Sequence, residues 1–409
     1  NIFVVGASSD TGAMVYFTSC GPTQDGRMKP DILTNGNTVL TTAPTGGHVD
    51  SSGTSMAAGG MTGITALMTQ HYKAQNNQRR PAPDIMRAMF LHTAIDAYNT
   101  GPDYKTGYGN ADIKAAADLV LDDIANHYKR IVRGSVKAGQ TREFNINVAA
   151  GSGPLKTTVT WTDVTNGSTA TKRLVHDLDV TLVSPTGQTY YPWILDPAAP
   201  SNPATNGQNT RDNIEQVRVA SPAAGTWKLR VTGTTVGDPE QPVQGFVVAS
   251  SHNLDVITSR FRDTATAASP VAIPDNSATG ITRTMTSTAQ GNIVNARIYL
   301  EVRHARRGDV RVELKHPDGT TALLKQENSS TRFDVAIIVP DIRSTETDMA
   351  AFVGKPASGV WTLTVSDLAA GTTGTLVHAE LELETDTPGG TGGPGGGPAG
   401  GTGGGGGGG

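Results

Sequence analysis

The strongest constraint on this fold is a repeat that the chain carries within itself. Asp177-Leu178-Asp179-Val180-Thr181-Leu182-Val183-Ser184-Pro185-Thr186-Gly187 corresponds to Asp309-Val310-Arg311-Val312-Glu313-Leu314-Lys315-His316-Pro317-Asp318-Gly319, with Asp, Leu, Pro and Gly at the same offsets. Downstream, Pro222-Ala223-Ala224-Gly225-Thr226-Trp227 corresponds to Pro356-Ala357-Ser358-Gly359-Val360-Trp361. Each copy holds an alternating run ending in a Pro-x-Gly turn, a long variable excursion, and a Gly-x-Trp run. Period-two alternation marks strands with one face buried. Two successive β-sandwiches of one plan follow, with Trp227 and Trp361 expected in their cores.

Residues 1–126 read differently. Ile2 to Val5 and Met14 to Phe17 are short apolar strands, and Ser55 to Tyr72 reads as a helix. Pro83-Asp84 suits the first turn of a second helix, and Ala115, Ala116, Leu119, Val120 and Ile124 give a third from Asp112. Strands alternating with helices argue for an α/β layer structure. Expected domains are thus α/β over 1–126, all-β sandwiches of jelly-roll type over 133–253 and 269–386, and a disordered tail over 387–409. That tail is almost pure Gly with Thr and Pro, a linker composition that suggests a surface anchor beyond it.

The totals exclude several classes. The chain has 409 residues, 17% of them charged and a net charge of −4, which gives no electrostatic case for nucleic acid. Cys20 is the sole cysteine, so neither an internal disulfide nor a Cys-based zinc site can form. No apolar run is long enough to span a membrane. Asn1 leads at once into an apolar run, so the chain reads as a fragment. Little Lys with abundant Gly, Thr and Ser fits a secreted bacterial enzyme.

The stretch Ser51-Ser52-Gly53-Thr54-Ser55-Met56-Ala57-Ala58-Gly59-Gly60 is a small-residue turn entering a helix with no charge from Met56 to Met68. A helix without a polar face is expected to be buried. Ser55 there has two readings, an N-cap or a nucleophile held at the positive end of a helix. Gly53-Thr54-Ser55-Met56-Ala57 resembles the nucleophile motif of the subtilisin-like serine peptidases. Three more blocks resemble that family in order. Phe17-Thr18-Ser19-Cys20-Gly21-Pro22-Thr23 with Asp25-Gly26-Arg27-Met28-Lys29-Pro30-Asp31-Ile32 is similar to its cleft region, and Gly107-Tyr108-Gly109-Asn110-Ala111-Asp112 to the segment closing its catalytic domain. The resemblance implies a parallel sheet with the Ser55 helix at its centre, and Ser55 as nucleophile. It also implies a general-base His, an orienting Asp and an oxyanion Asn upstream of Asn1. Gly59 departs from the family's usual Pro.

Leu174-Val175-His176-Asp177-Leu178-Asp179 and Asn213-Ile214-Glu215 resemble the β-domain of larger alkaline subtilases. Ile273-Pro274-Asp275-Asn276, His304 with Arg307-Gly308-Asp309, and Gly359-Val360-Trp361-Thr362-Leu363 resemble the P domain of proprotein convertases. Val377-His378-Ala379 departs from that family, which usually has a Trp there.

His48 and Asp50 lie just before Ser55, but a tight loop would have to fold His48 back over it, so a cleft-side loop position is expected. His71 and His92 read as packing or surface residues. Asp177 and Asp179 share one face of a strand, so they could hold Ca²⁺ between them or stand solvated. Asp275 and Asp309 raise the same question more weakly. Arg307-Gly308-Asp309 reads as a structural turn in preference to an adhesion motif. Cys20 reads as a buried small residue in preference to an exposed thiol near the cleft.

The expectation is a secreted subtilisin-like serine endopeptidase, C-terminal part, acting on polypeptides, extracellular or attached to the cell surface, with Ca²⁺ as a structural ion. The alternative is a non-catalytic, calcium-stabilised β-sandwich interaction module carrying a decayed protease remnant.

Overall fold

The computed structural model describes residues 2–76, 79–126, 128–166, 172–238, 243–255, 259–264, 270–339 and 348–386. The Gly-rich tail expected over 387–409 lies outside them. The chain divides into two compact units, Asn1–Val256 and Ile257–Gly409.

In the first unit, the strand Val5–Ser8 pairs in parallel with Ile32–Asn35, Val5 opposite Ile32. A parallel pair needs its faces covered. Helix α1 (Thr54–Gln75) packs on it and buries Ala57, Met61, Met68 and Tyr72. The expectation of a wholly buried α1 is not met: Ala58, Gly59, Gly60, Thr62 and Gly63 are exposed. From Met56 to Met68 the helix is uncharged on every side, but among the described residues only one side is packed against. Met14–Phe17 is not a strand either. Met14 alone bridges to Ser8, and the Thr18 hydroxyl donates to Ala7 O at 2.7 Å. That anchor turns the chain before it can pair and leaves Tyr16 on the surface.

Helix α2 (Pro83–Thr93) starts with Pro in its first turn, and α3 (Ile113–Ala125) is capped by Asp112, which accepts from Ala115 N at 2.8 Å. Every residue from Ile85 to His92 is buried, because α2 lies between α3 and a sheet of the first sandwich. That sheet runs Ile214–Val219, Leu155–Thr160, Gln244–Ser250, Ile131–Val136, all antiparallel. Its strand Gln244–Ser250 reads apolar on both faces. Phe246 and Val248 join the sandwich core, whereas Val247 and Ala249 join the core shared with α2. Polar groups fit there as well. Gln216 Nε2 donates to Leu91 O at 3.3 Å and to Thr158 Oγ1 at 2.9 Å, and Thr158 Oγ1 lies 3.0 Å from His92 Nδ1. The facing sheet is built on Thr141–Val148, Gly225–Val236 and His176–Val183, flanked by Leu254–Asp255 and Thr189–Tyr190.

The second unit is a sandwich with its own core. One sheet runs Ser259–Thr264, Gly374–Thr385, Ile293–His304, Val335–Val339; the other runs Ser277–Ser287, Gly359–Asp367, Val310–Lys315, Thr321–Lys325.

The repeat extends to the pairing register. Val183 faces Lys228 and Asp179 faces Thr232; at the equivalent positions Lys315 faces Thr362 and Arg311 faces Ser366. Gly225 (φ +130°) and Gly359 (φ +120°) each turn into the Trp strand, and a Cβ there would lie 2.8 Å from Pro185 Cγ and 2.7 Å from Pro317 Cγ. Trp227 Nε1 donates to Ala223 O at 2.8 Å and Trp361 Nε1 to Ala357 O at 3.5 Å. Both rings are core, at 1% and 0% exposure, as the repeat requires.

Candidate active site

The turn before α1 docks at the carboxyl ends of the parallel strands. Gly36 N–H donates to Ser8 O at 2.9 Å, and Gly53 N–H donates to Gly36 O at 2.8 Å. A Cβ on Gly36 would lie 2.7 Å from both Gly53 O and Ala7 Cβ, so only Gly permits this approach. Thr34 Oγ1 donates to Ala57 O at 2.7 Å and holds the first turn of α1 on its strand. In open α/β sheets, ligands bind beyond the carboxyl ends of strands, which is where this turn sits.

The N-cap residue of α1 is Gly53, and no side chain caps the helix. Ser55 is thus the second helical residue. It is exposed, and its hydroxyl makes no hydrogen bond among the described residues. The N-cap reading of Ser55 fails because Gly53 holds that position. Ser52 is engaged instead: its Oγ accepts from Thr38 N at 2.8 Å. His48 and Asp50 stand exposed on the hairpin Val39–Thr42/His48–Ser51, and no hydrogen bond joins either to Ser55.

The cleft-like stretch is held by a buried carboxylate that the sequence reading did not single out. Asp31 Oδ2 accepts from Val4 N at 2.7 Å, while Oδ1 lies 2.5 Å from Lys29 Nζ and 3.4 Å from Arg87 Nη2. Burial pushes the Lys29 ammonium pKa down against the pull of Asp31. Tyr104 donates to Gly26 O at 2.8 Å, and burial pushes its phenol up to about 12. Cys20, expected buried, is exposed: its Sγ reaches only Thr18 O, at 3.5 Å. His92 is buried and its pKa lies well below the ordinary value, chiefly through burial, with Lys156 and Arg130 adding to the shift.

Asp212, Asn213 and Glu215, close in sequence, reach three different partners. Asp212 accepts from Met28 N at 2.9 Å and so ties the first sandwich to the cleft-like stretch; Asn213 Nδ2 donates to Trp161 O at 2.7 Å. Glu215 is buried and its Oε2 accepts from Val180 N at 2.8 Å, joining strand Ile214–Val219 of one sheet to strand His176–Val183 of the other. Burial holds the Glu215 carboxyl well above its ordinary pKa, with Asp179 and Asp177 adding to the shift. Asp177 Oδ2 lies 3.4 Å from Lys172 Nζ, and Asp179 Oδ2 accepts from Thr234 Oγ1. Asp177 Oδ1 and Glu215 Oε1 are buried without a donor among the described residues. Among the described residues, no group of three or more His, Cys, Asp or Glu is placed to hold a metal ion. Asp275 accepts from Gly371 N at 3.0 Å. In Arg307-Gly308-Asp309, Gly308 and Asp309 are buried, so the tripeptide is a structural turn.

Residues 1–109 match the subtilase family. The proprotein convertase P-domain family matches residues 161–243 and again residues 293–383, one match in each sandwich. The serine protease/ABC transporter B family protein tagA of Dictyostelium discoideum is 22% identical over 55% of this chain and 15% of its own length. The C5a peptidase of Streptococcus pyogenes serotype M6 is 32% identical over 32% of this chain and 12% of its own length. The chain thus spans about an eighth of the length of these curated relatives. The self-cleaved protease domain of PatA is 26% identical over 29% of this chain and 41% of that one, at a TM-score of 0.25. The serine protease of Aeromonas sobria is 14% identical over 94% of this chain and 57% of that one, at a TM-score of 0.24. TM-scores this low carry no structural argument. No helix of the described residues is long and apolar enough to cross a membrane.

Proposed function

We propose that this subtilase-family segment carries the nucleophile of an extracellular serine endopeptidase, and that the nucleophile is Ser55. The observation that supports the reading is an exposed serine hydroxyl with no structural task, at the N-terminus of a helix and beyond the carboxyl ends of two parallel strands. Ser55 Oγ attacks the scissile carbonyl carbon and loses its proton to a general base. The carbonyl oxygen becomes an oxyanion, which the Ser55 N–H and the free N–H groups of the first α1 turn stabilise. The base returns the proton to the leaving amine, and water then releases the acyl group by the same steps. Nothing bonded to Ser55 serves as that base, so we assign it to the His, oriented by an Asp, that the family resemblance places upstream.

The chain 1–409 alone is expected to turn over no peptide. In the intact protein a fluorophosphonate should label Ser55, and Ser55→Ala should abolish both labelling and casein hydrolysis while the fold is kept. Labelling that survives Ser55→Ala ends this assignment, and so does robust hydrolysis by the chain alone that Ser55→Ala abolishes.

A structural calcium ion at Asp177 and Asp179 is a second, separate proposal. What favours it is the pair of buried oxygens, Asp177 Oδ1 and Glu215 Oε1, that no donor reaches among the described residues. Such an ion would have to compete with Lys172 and Thr234, which already engage the two aspartates.

A further inference from the structure

The seam between α2 and the first sandwich gathers basic and titratable groups that the proposed chemistry does not use. His92, in the last turn of α2, is buried against the sheet, with Nδ1 3.0 Å from Thr158 Oγ1. Thr158 faces Gln216 across the strands, and one step further along the same face Lys156 lies directly opposite Arg218. Like charges placed opposite each other repel. Among the described residues, no ion pair joins a carboxylate to Lys156, Arg218 or His92. Lys156 N donates to Ser251 Oγ at 2.8 Å, Ser251 Oγ lies 3.0 Å from His252 Nδ1, and the Arg130 guanidinium donates to Ser251 O. Two imidazoles and three cations thus share this part of the seam. The acids nearby are engaged elsewhere. Asp122 of α3 lies 3.0 Å from Arg130 Nε, and Asp123 accepts from Arg130 N and Ile131 N, each at 2.8 Å. Asp96 is exposed and accepts from Gly101 N at 2.8 Å. Elsewhere on α2, Asp84 pairs with Arg133, and Arg87 reaches Asp31.

We propose that this seam is an acid-operated release: proton uptake by His92 and His252 parts the C-terminal half of α2 from the sheet of the first sandwich. The contact there is polar. Gln216 bonds to Leu91 O and Thr158, and Thr158 to His92, so opening exchanges these bonds for bonds to water. Each added proton sets a charge beside cations already crowded together, where burial weakens the screening. Burial holds the His92 pKa well below its ordinary 6.5, with Lys156 and Arg130 adding to the shift; burial, then Arg130, lowers that of His252. Both folded values lie below the unfolded one. The closed seam is therefore favoured above pH 6.5, and that preference is lost as pH falls through the folded values. Arg87 of α2 also reaches Asp31, which holds Val4 N at the start of the strand pair whose far end carries Ser55, so release loosens the platform of the proposed nucleophile. That consequence rests on the peptidase reading; the release itself does not.

The test is hydrogen exchange on the full chain, with rates corrected for the intrinsic effect of pH. Residues 85–93 and 244–250 should lose protection at least about tenfold between about pH 7.5 and about pH 5.5, while residues 359–367 of the second unit keep theirs. The double variant His92→Gln/His252→Gln should hold its protection at the lower pH. Should that variant fail to fold, Lys156→Gln, at a half-buried position, takes its place and should move the opening to lower pH. Unchanged protection of residues 85–93 across this range overturns the proposal. So does equal loss in the wild-type and variant chains, or loss that spreads equally to residues 359–367, which is acid unfolding of the whole chain. Failure of Ser55 labelling in the intact protein would remove the peptidase reading yet leave this exchange result standing.

Discussion

The two sandwiches share a register, a Trp anchor and a Gly-on-Pro corner, yet their neighbourhoods differ. The first is fused into the α/β part. Its sheet face carrying Ile131, Ile214, Val247 and Ala249 packs under α2, and Asp212 holds Met28. The second has a core cluster of its own, whose described members run from Ile273 to Leu383. Its strand Gly374–Thr385, which follows the Trp strand into the opposite sheet as Gln244–Ser250 does, carries Glu380, Glu382 and Glu384 where Gln244–Ser250 carries Val247 and Ala249. What the repeat preserves is the inner face, because that face must interdigitate with its partner sheet. The outer face follows whatever covers it.

The largest effect expected from this comparison concerns the two tryptophans. Trp227→Ala and Trp361→Ala should each cost about 3–5 kcal/mol, the range for deleting a large buried aromatic. Denaturant unfolding read by limited proteolysis should show Trp227→Ala loosening the whole first unit, α1 to α3 included. Trp361→Ala should loosen the second unit alone. A first sandwich that unfolds while the helices stay protected would break the idea that it is fused to them.

Next comes the corner glycine. Gly225→Ala and Gly359→Ala force a Cβ into positive φ and against Pro185 or Pro317. Each should cost about 1–3 kcal/mol, the price of an unfavourable backbone state. Costs that differ widely between the two would show that the shared corner is a resemblance in outline only.

A smaller, pH-dependent difference should separate the units. The folded Glu215 carboxyl lies well above its ordinary pKa of 4.5, so the folded state binds its proton more tightly than the unfolded state. Its stabilising effect is present below the unfolded pKa and is lost as pH rises through the folded value. Glu215→Gln should therefore raise the melting temperature of the first unit at about pH 7.5, with the gain shrinking as the pH falls. His92 acts in the opposite sense. Its folded pKa is depressed, so the unfolded chain takes up the proton first and the first unit loses stability as pH drops below 6.5. His92→Gln should flatten that acid limb in urea titrations.

The smallest effect tests the ion. Millimolar Ca²⁺ should raise the melting temperature of the first unit relative to chelator, and Asp179→Asn should shrink the difference. A melting temperature indifferent to both removes calcium from this protein.

Elements whose signals are local were legible in the amino-acid sequence. Asp112 and Pro83 mark helix starts because capping and the first-turn rule act within a few residues. The repeat placed both tryptophans in cores because a Pro-x-Gly turn and a Gly-x-Trp strand recur in the same order, and the two strands pair in the same register in each copy. Ser55 could be singled out from its motif, but not its local role. Only the tertiary structure put Gly53 at the cap and freed the hydroxyl. It also decided that Met14–Phe17 turns away, that Cys20 is exposed, and that Asp212, Asn213 and Glu215 point to three different partners. The continuous Gly245 to Ala249 run is ambiguous in sequence, since an apolar residue on a strand's outer face has no meaning until a neighbour such as α2 arrives to cover it. Local rules fix which face of an element is which. What lies against that face depends on residues far away in the chain, and single-sequence patterns do not encode that distance.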